Sequence, residues 1–319
     1  MENSYSSVRR AIAGRPLYIH SQKMSELLAL IELGGRPKAL SPRAATRPQY
    51  SGDRGAIAVI PIQGVISHRG SIFSWLFGGT ATTDVSAALR QVTADPNISA
   101  IVLDVDSPGG DVDGVDELAS EIYQARQKKP VSAVSNCLMA SAAYYLASQA
   151  SEIIASPSSL TGSVGVYTIH EDDSAMLDRI GIKLSLIKFG ENKAEDFGPL
   201  SDEARKHTQS LVNSYGRAFE AAVARGRGIK QADVHDKFGQ GRVFSAKQAL
   251  NLGMVDRVGT LNDALSSLST SSGRHRAQHA AAHRQLRTEA GGSPVTTPAQ
   301  RRALEFARMR HELLLAERG

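Results

Sequence analysis

The sequence predicts an α/β fold in which largely parallel strands are covered by helices. Strand-like and helix-like stretches alternate from Ala56 onward in units of roughly 30 residues, the rhythm of βαβ units. Pro/Gly turns separate them. Two turns with chemical potential follow strand candidates directly, as expected where ligands gather at the carboxyl ends of parallel strands.

The elements run as follows. "AIAVIPIQGVI" from Ala56 reads as a buried strand, a turn and more strand. "SHRGSIFSWLFGGT" is a loop in which Trp75, Leu76 and Phe77 either lie under a neighbouring element or make an oligomer or substrate contact. "TTDVSAALRQVTADPNI" is a helix with a stop, and "SAIVLDVDS" is a strand that ends in the turn "PGGDVDG". "VDELASEIYQARQ" is an amphipathic helix with Val115, Leu118, Ala119, Ile122 and Tyr123 on one side. "VSAVSN" is a short strand before an alanine-rich helix, and "EIIASP" and "TGSVGVYTI" are further strands. A long helix runs from Ser201 to about Ala224, with Leu211, Val212, Tyr215, Phe219, Ala222 and Val223 on its apolar face. "FSAKQALNLGMVD" is a short helix with capping-box spacing at Ser245 and Gln248 and a C-terminal glycine, Gly253.

The flanks differ from this pattern. In the N-terminal part, "QKMSELLALIEL" suits a short helix and is followed by a Pro/Gly/Arg-rich linker. Residues 265–300 have a disordered composition, and "AQRRALEFARMRHELLLAER" reads as a basic amphipathic helix. The chain of 319 residues has a formal net charge of +5. Residues 271–319 hold nine arginines and four glutamates, so all of the excess belongs to this tail. The preceding 270 residues are balanced, and nothing basic marks them as a nucleic-acid reader. The single cysteine, Cys137, rules out an intrachain disulfide and suits a reducing compartment. No signal-peptide pattern and no stretch suited to a membrane span are visible, so a cytoplasmic protein is expected.

Ser141 stands in an uncharged stretch, "CLMASAAYYLASQA", where small residues suit close helix packing. A serine at a strand-to-helix turn is also placed to act as a nucleophile, with the N–H of Ala142 beside it. In "DSPGGDVDG", Gly109 and Gly110 either form a plain turn or offer N–H groups to an oxyanion. The phosphate-loop and dinucleotide glycine patterns are both absent. As to a base, His68, His170, His207 and His235 have no local motif that ties them to Ser141. Lys193 in "FGENKAEDFGPLS" would serve if desolvation lowered its pKa, though Glu191, Glu195 and Asp196 act against that. The residues alone leave the base open.

Together, "VDSPGG" (105–110), "ASAAYYLASQASEIIASP" (140–157), "TGSVGV" (161–166), "GENKAEDFGPLS" (190–201) and "GRVFSAKQALNLGMVD" (241–256) resemble the signal peptide peptidase A family of serine proteases. The resemblance spans about residues 55–262 and implies a Clp-protease/crotonase-like fold, a parallel-sheet core of repeated strand-strand-helix units. It implies Ser141 as nucleophile, Lys193, 52 residues later, as general base, and Ser163 as the group that orients the lysine. Gly109 or Gly110 and Ala142 would be the oxyanion donors. The family usually has two glycines after the serine, where this chain has Ala142 and Ala143.

No metal, nucleotide or organic cofactor is implied. The expected division is a leader and linker over 1–54, a protease domain over 55–264 and a tail over 265–319 that serves as scaffold or targeting segment. The chain looks most like the branch of capsid assembly and head maturation proteases of tailed phages. That branch implies protein substrates, self-association, scaffold, capsid and portal proteins as partners, and a place in the host cytoplasm or procapsid. A cytosolic peptidase outside capsid assembly, a crotonase-like acyl-thioester enzyme and an inactive scaffold-binding protein are the competing readings.

Overall fold

A computed structural model describes residues 12–32, 47–52, 55–69, 79–270 and 274. The Trp75 loop and the basic C-terminal helix expected above lie outside the described residues.

The main sheet has the order β11-β10-β8-β6-β3-β2. Its strands are β2 (Arg47–Gly52), β3 (Gly55–Gln63), β6 (Ile98–Ser107), β8 (Val131–Ala140), β10 (Leu160–Gly162) and β11 (Val243–Ser245). β3, β6, β8 and β10 are mutually parallel, while β2 and β11 join antiparallel at the edges. β9 (Glu152–Ala155) pairs with the first half of β8, and β12 (Arg257–Val258) pairs with β9. The fold is therefore mixed α/β with a parallel core, as the alternation of elements predicts.

Period-2 alternation sorts the side chains of the central strands between two faces. Ala58, Ile60, Ile62, Ile101, Leu103 and Val105 join the larger cluster, packed with helices α2 (Thr82–Ala94), α3 (Val115–Lys128), α4 (Ala142–Ala147) and α6 (Asp202–Arg227). Ile57, Val59, Ala100 and Val102 face the other way, against Ala264, Leu265 and Leu268 of the last described helix, α9 (Leu261–Ser269). Both faces of the central strands are thus covered, which is why they read as nearly continuous apolar runs.

A second, smaller sheet stands above the carboxyl ends of the main strands. Its order is β1 (Leu17–Ile19), β7 (Gly109–Asp111), β4 (Ile66–Ser67), β5 (Thr80–Ala81). Residues 17–19 fall in the expected leader, yet they form β1, followed by α1 (Ser21–Glu32) on the stretch expected to be helical.

Three elements differ in length from the sequence reading. The strand expected over "VSAVSN" continues to Ala140, because Leu138–Ala140 finds a second partner in β10. "TGSVGVYTI" leaves the sheet after Gly162, where φ values of 136° at Gly162 and 56° at Ser163 turn the chain away. The long helix spans Asp202–Arg227, with the Ser201 side chain accepting from the Ala204 N–H and Gly228 closing it in the left-handed region. Its last turns are buried, but Leu211 and Tyr215, on the expected apolar face, are exposed. The remaining helices are short: α5 (Ser174–Arg179), α7 (Gln231–Lys237) and α8 (Ala246–Asn251), the last with the expected Ser245/Gln248 capping box.

Candidate active site

Ser141 is the single residue between β8 and α4. Its backbone, at φ 55° and ψ −121°, is one that side-chain-bearing residues seldom adopt. Such strain costs on the order of 1–3 kcal/mol and persists only where the surroundings enforce it. Here they do. The Ser141 N–H donates to the Gly162 carbonyl at 2.8 Å, and the Tyr145 N–H donates to the Ser141 carbonyl at 2.8 Å.

Helix α4 is fastened at both tyrosines that follow the serine. Tyr144 Oη donates to the Met254 carbonyl at 2.9 Å, and Tyr145 Oη to Asp116 Oδ1 at 2.8 Å. Burial is the main cause that pushes the Tyr145 phenol far above its ordinary pKa, with Asp116 adding to it, so this donor keeps its proton. Met254 is itself held in place. The fully buried Arg227 guanidinium donates to both oxygens of Asp256 at 3.0 Å and to the Gly253 carbonyl at 2.8 and 3.2 Å.

The glycine turn meets the serine directly. Gly109 has φ 92°, and a Cβ there would lie 2.9 Å from the Ala142 nitrogen, 2.9 Å from Ser141 Cβ and 2.1 Å from the Tyr18 carbonyl oxygen. Only a glycine allows this approach. The turn is set by Ser107, whose Oγ donates to the Gly64 carbonyl at 2.6 Å and accepts from the Gly109 N–H at 3.1 Å. A Cβ on Gly110 would instead meet the Ile66 backbone, with its carbonyl oxygen at 1.7 Å. Gly110 therefore binds the turn to β4, and Gly109 is the glycine that touches the serine. Ala142, as first residue of α4, contributes an N–H that the helix itself leaves without an acceptor.

Ser163 joins the same corner, directly after Gly162, to which Ser141 is bonded. Its own N–H donates to the Arg242 carbonyl at 2.7 Å. Only four non-glycine residues among those described have positive φ, and two of them are Ser141 and Ser163. The structure thus assembles Ser141, Ala142, Gly109 and Ser163.

It does not bring the base candidates to them. Ser141 is 1% exposed, and its Oγ has no hydrogen-bond partner. His170 Nε2 meets the Gly198 carbonyl at 2.9 Å, and His235 Nδ1 meets Glu220 at 2.7 Å. Lys193 is exposed, in a turn where its N–H donates to the Gly190 carbonyl at 3.2 Å. Around it, residues 174–197 show a row of large apolar side chains to solvent. Ile187 is 97% and Phe189 100% exposed, and Ile180, Leu184 and Phe197 are each above half.

Sequence reasoning missed two contributors. One is Ser107, which lay inside a quoted motif but gained its role only when the turn folded. The other is Tyr18, whose carbonyl approaches Gly109 from a stretch that lies ahead of every motif. No local signal marks it.

A strained serine between strand and helix, with the first N–H of the helix and a glycine turn against it, is an arrangement suited to serine-based acyl transfer. The sequence profile of peptidase family S49 matches residues 123–274. Capsid assembly protease C of Escherichia phage lambda is 31% identical over 262 residues, 82% of this chain and 57% of that protein. The head-tail preconnector protein GP5 of Enterobacteria phage P21 is 32% identical over 67% of this chain and 43% of that protein. A putative protease of Synechocystis is 33% identical over 59% of this chain and 68% of that protein. The chain belongs to peptidase family S49, a family of serine proteases, and spans about half the length of the two phage relatives. Among solved structures, a ClpP1 variant from Listeria monocytogenes aligns over 65% of this chain and 94% of that chain, with a TM-score of 0.41 and 16% identity. Among the described residues, no helix is long and apolar enough to cross a membrane.

Proposed function

We propose that this protein is a serine endopeptidase that works through a Ser141–Lys193 dyad and processes scaffold and other head proteins during phage procapsid maturation. The strained, moored Ser141 in contact with Gly109 carries the reading. Lys193 takes the proton from Ser141 Oγ. The oxygen attacks a peptide carbonyl, and the oxyanion is held by the N–H of Ala142 and one from the glycine turn. Protonated Lys193 then passes the proton to the leaving amine, and water releases the acyl group. Ser163, adjacent to the serine through Gly162, orients the lysine. The finer fold assignment, Clp-protease/crotonase-like, belongs to the same reading, and the expected unit over 55–264 is extended to take in β1 with α1 and the end of α9, which pack onto it.

Lys193 reaches the serine through assembly. A monomer rarely leaves so many large apolar side chains of one segment in water. The stretch 174–197 that carries Lys193 is such a segment, and Ser141 lacks the partner that Lys193 would be. We therefore assign that segment to a second copy of this chain, with the dyad completed between copies. The capsid role rests on the two phage relatives and on the basic 271–319 tail, which suits an acidic protein partner.

The test is intact mass spectrometry of candidate head proteins incubated with wild type, Ser141→Ala and Lys193→Ala. Fragments from wild type alone are expected. Identical fragments from Ser141→Ala would exclude that serine as nucleophile.

A further inference from the structure

The peptidase reading needs a place for an extended peptide beside Ser141, and the structure has one that is already filled. β1 lies between two edges. On one side it pairs antiparallel with β7, with Leu17 opposite Asp111, Tyr18 opposite Gly110 and Ile19 opposite Gly109, and the His20 N–H continues the ladder to the Pro108 carbonyl at 2.8 Å. On the other side the Leu17 N–H donates to the Tyr167 carbonyl at 2.8 Å, the Tyr167 N–H returns a 3.3 Å bond, and the Gly14 N–H donates to the Ile169 carbonyl at 2.8 Å. An extended segment held by main-chain bonds on both edges, with alternate side chains in pockets, is how strand-adding peptide sites work.

The register places one residue at the chemistry. The Tyr18 carbonyl oxygen, the Ala142 nitrogen and Ser141 Cβ converge on the α-carbon of Gly109. The Tyr18 ring enters a pocket of Tyr145, Tyr215 and Phe219, with centroids 5.6, 6.3 and 5.2 Å away, and its hydroxyl donates to the Tyr215 carbonyl at 2.9 Å. Leu17 and Ile19 point the other way, onto Met24 and Leu28 of α1 together with Val65. β1 and α1 thus carry much of their own core, and Tyr18 is the side chain that joins them to the main one. With β1 in place, Ser141 is closed to solvent.

We propose that the channel between β7 and Tyr167–Ile169 is the peptide-binding groove of the protease, that residues 15–20 of this chain occupy it in a closed state, and that the groove selects peptides with a large aromatic side chain at the position of Tyr18. The proposal rests on the peptidase reading and adds a substrate class and a self-occupied state to it. Opening is the outward movement of β1 with α1.

A reversible lock tests it. Leu17 and Tyr167 form a mutually bonded antiparallel pair, whose Cα spacing of about 5.5 Å suits a disulfide. The variant Leu17→Cys/Tyr167→Cys, with Cys137→Ser to remove the native thiol and Ser141→Ala to prevent turnover, is read in both redox states. The probe is a fluorescein-labelled peptide with the sequence of residues 15–20, RPLYIH, followed by anisotropy. The reduced protein is expected to capture it, the oxidised protein to exclude it, and a peptide with Ala for Tyr to bind about tenfold more weakly or worse. Equal behaviour in the two redox states, including no capture in either, overturns the groove.

Should the double-cysteine chain not fold, Tyr18→Ala in the Ser141→Ala background replaces it. Greater capture than the Tyr18 chain is expected, and equal or lower capture overturns the proposal. Cleavage of protein substrates by wild type against Ser141→Ala is measured separately. Ser141-dependent cleavage without redox-gated capture removes the groove alone. Gated capture without such cleavage removes the peptidase reading alone.

Discussion

Ser141 and Lys193 are the two halves of one proposed reaction, and the chain treats them in opposite ways. Ser141 is buried at a strained turn, fixed through Gly162, Tyr144 and Tyr145, and backed by the Arg227–Asp256 pair. Lys193 sits in an exposed turn among apolar side chains that nothing among the described residues covers. On the proposed reading, the difference teaches that rigidity is built where the nucleophile's geometry must be held, while the base waits on a surface left for a second copy to cover.

The comparison breaks most sharply at the exposed segment. Ile187→Ser with Phe189→Ser removes two side chains that touch almost nothing in the single chain. Urea denaturation should show the monomer unchanged within about 0.5 kcal/mol. Sedimentation should show loss of assembly, and cleavage should fall at least about a hundredfold because the serine loses its base. Unchanged cleavage would detach Lys193 from the reaction.

On the rigid side, Asp256→Ala leaves a fully buried guanidinium without its carboxylate. Removing one partner of such a pair costs about 3–5 kcal/mol, read as a lower urea midpoint. Gly109→Ala forces a Cβ into the Tyr18 carbonyl at a positive φ. A loss of about 2–3 kcal/mol is expected, together with loss of cleavage in whatever folded fraction remains. A stable, active Gly109→Ala protein would contradict the packing of the turn on the serine.

The smallest effect sits at His20, beside the glycine turn. Burial first, and then Lys23, hold its pKa below the ordinary value, against an opposing pull from Glu26. Its Nδ1 is buried without a hydrogen-bond partner. The folded state therefore binds fewer protons than the unfolded one, and the stabilisation from neutral His20 is present above the ordinary histidine value of about 6.5 and lost as the pH falls below it. Amide protection factors over residues 17–19, corrected for the intrinsic pH dependence of exchange, should fall between about pH 7 and pH 5, and His20→Gln should flatten that dependence.

How much of this was legible in the sequence follows from how local each feature is. The alternation of strands and helices, the capping box at Ser245 and the serine opening a helix depend on neighbours within a few residues, and they were readable. Ser141, Ala142 and Gly109 are candidates on local grounds, Ser163 only through the family resemblance, and the structure gathers all four in one corner. The end of β8 was not readable, because Cys137–Ala140 carries no strand pattern of its own and is drawn into the sheet by β10. β1 was not readable either. Three residues in an unpromising leader become a strand only because β7 and Tyr167 offer edges to them. The exposed row around Ile187 carries no signal in the sequence that sets it apart from buried apolar residues, and only the folded chain shows that its own core leaves it uncovered.

The most direct test of a dyad shared between copies is complementation. Ser141→Ala and Lys193→Ala proteins are each assayed for cleavage of a head protein, then mixed, dissociated and reassembled together. Each alone should be inactive, and the mixture should regain a fraction of wild-type activity, since a Lys193→Ala protomer keeps the serine and a Ser141→Ala protomer supplies the lysine. A mixture that stays inactive while wild type treated in the same way recovers would contradict the account.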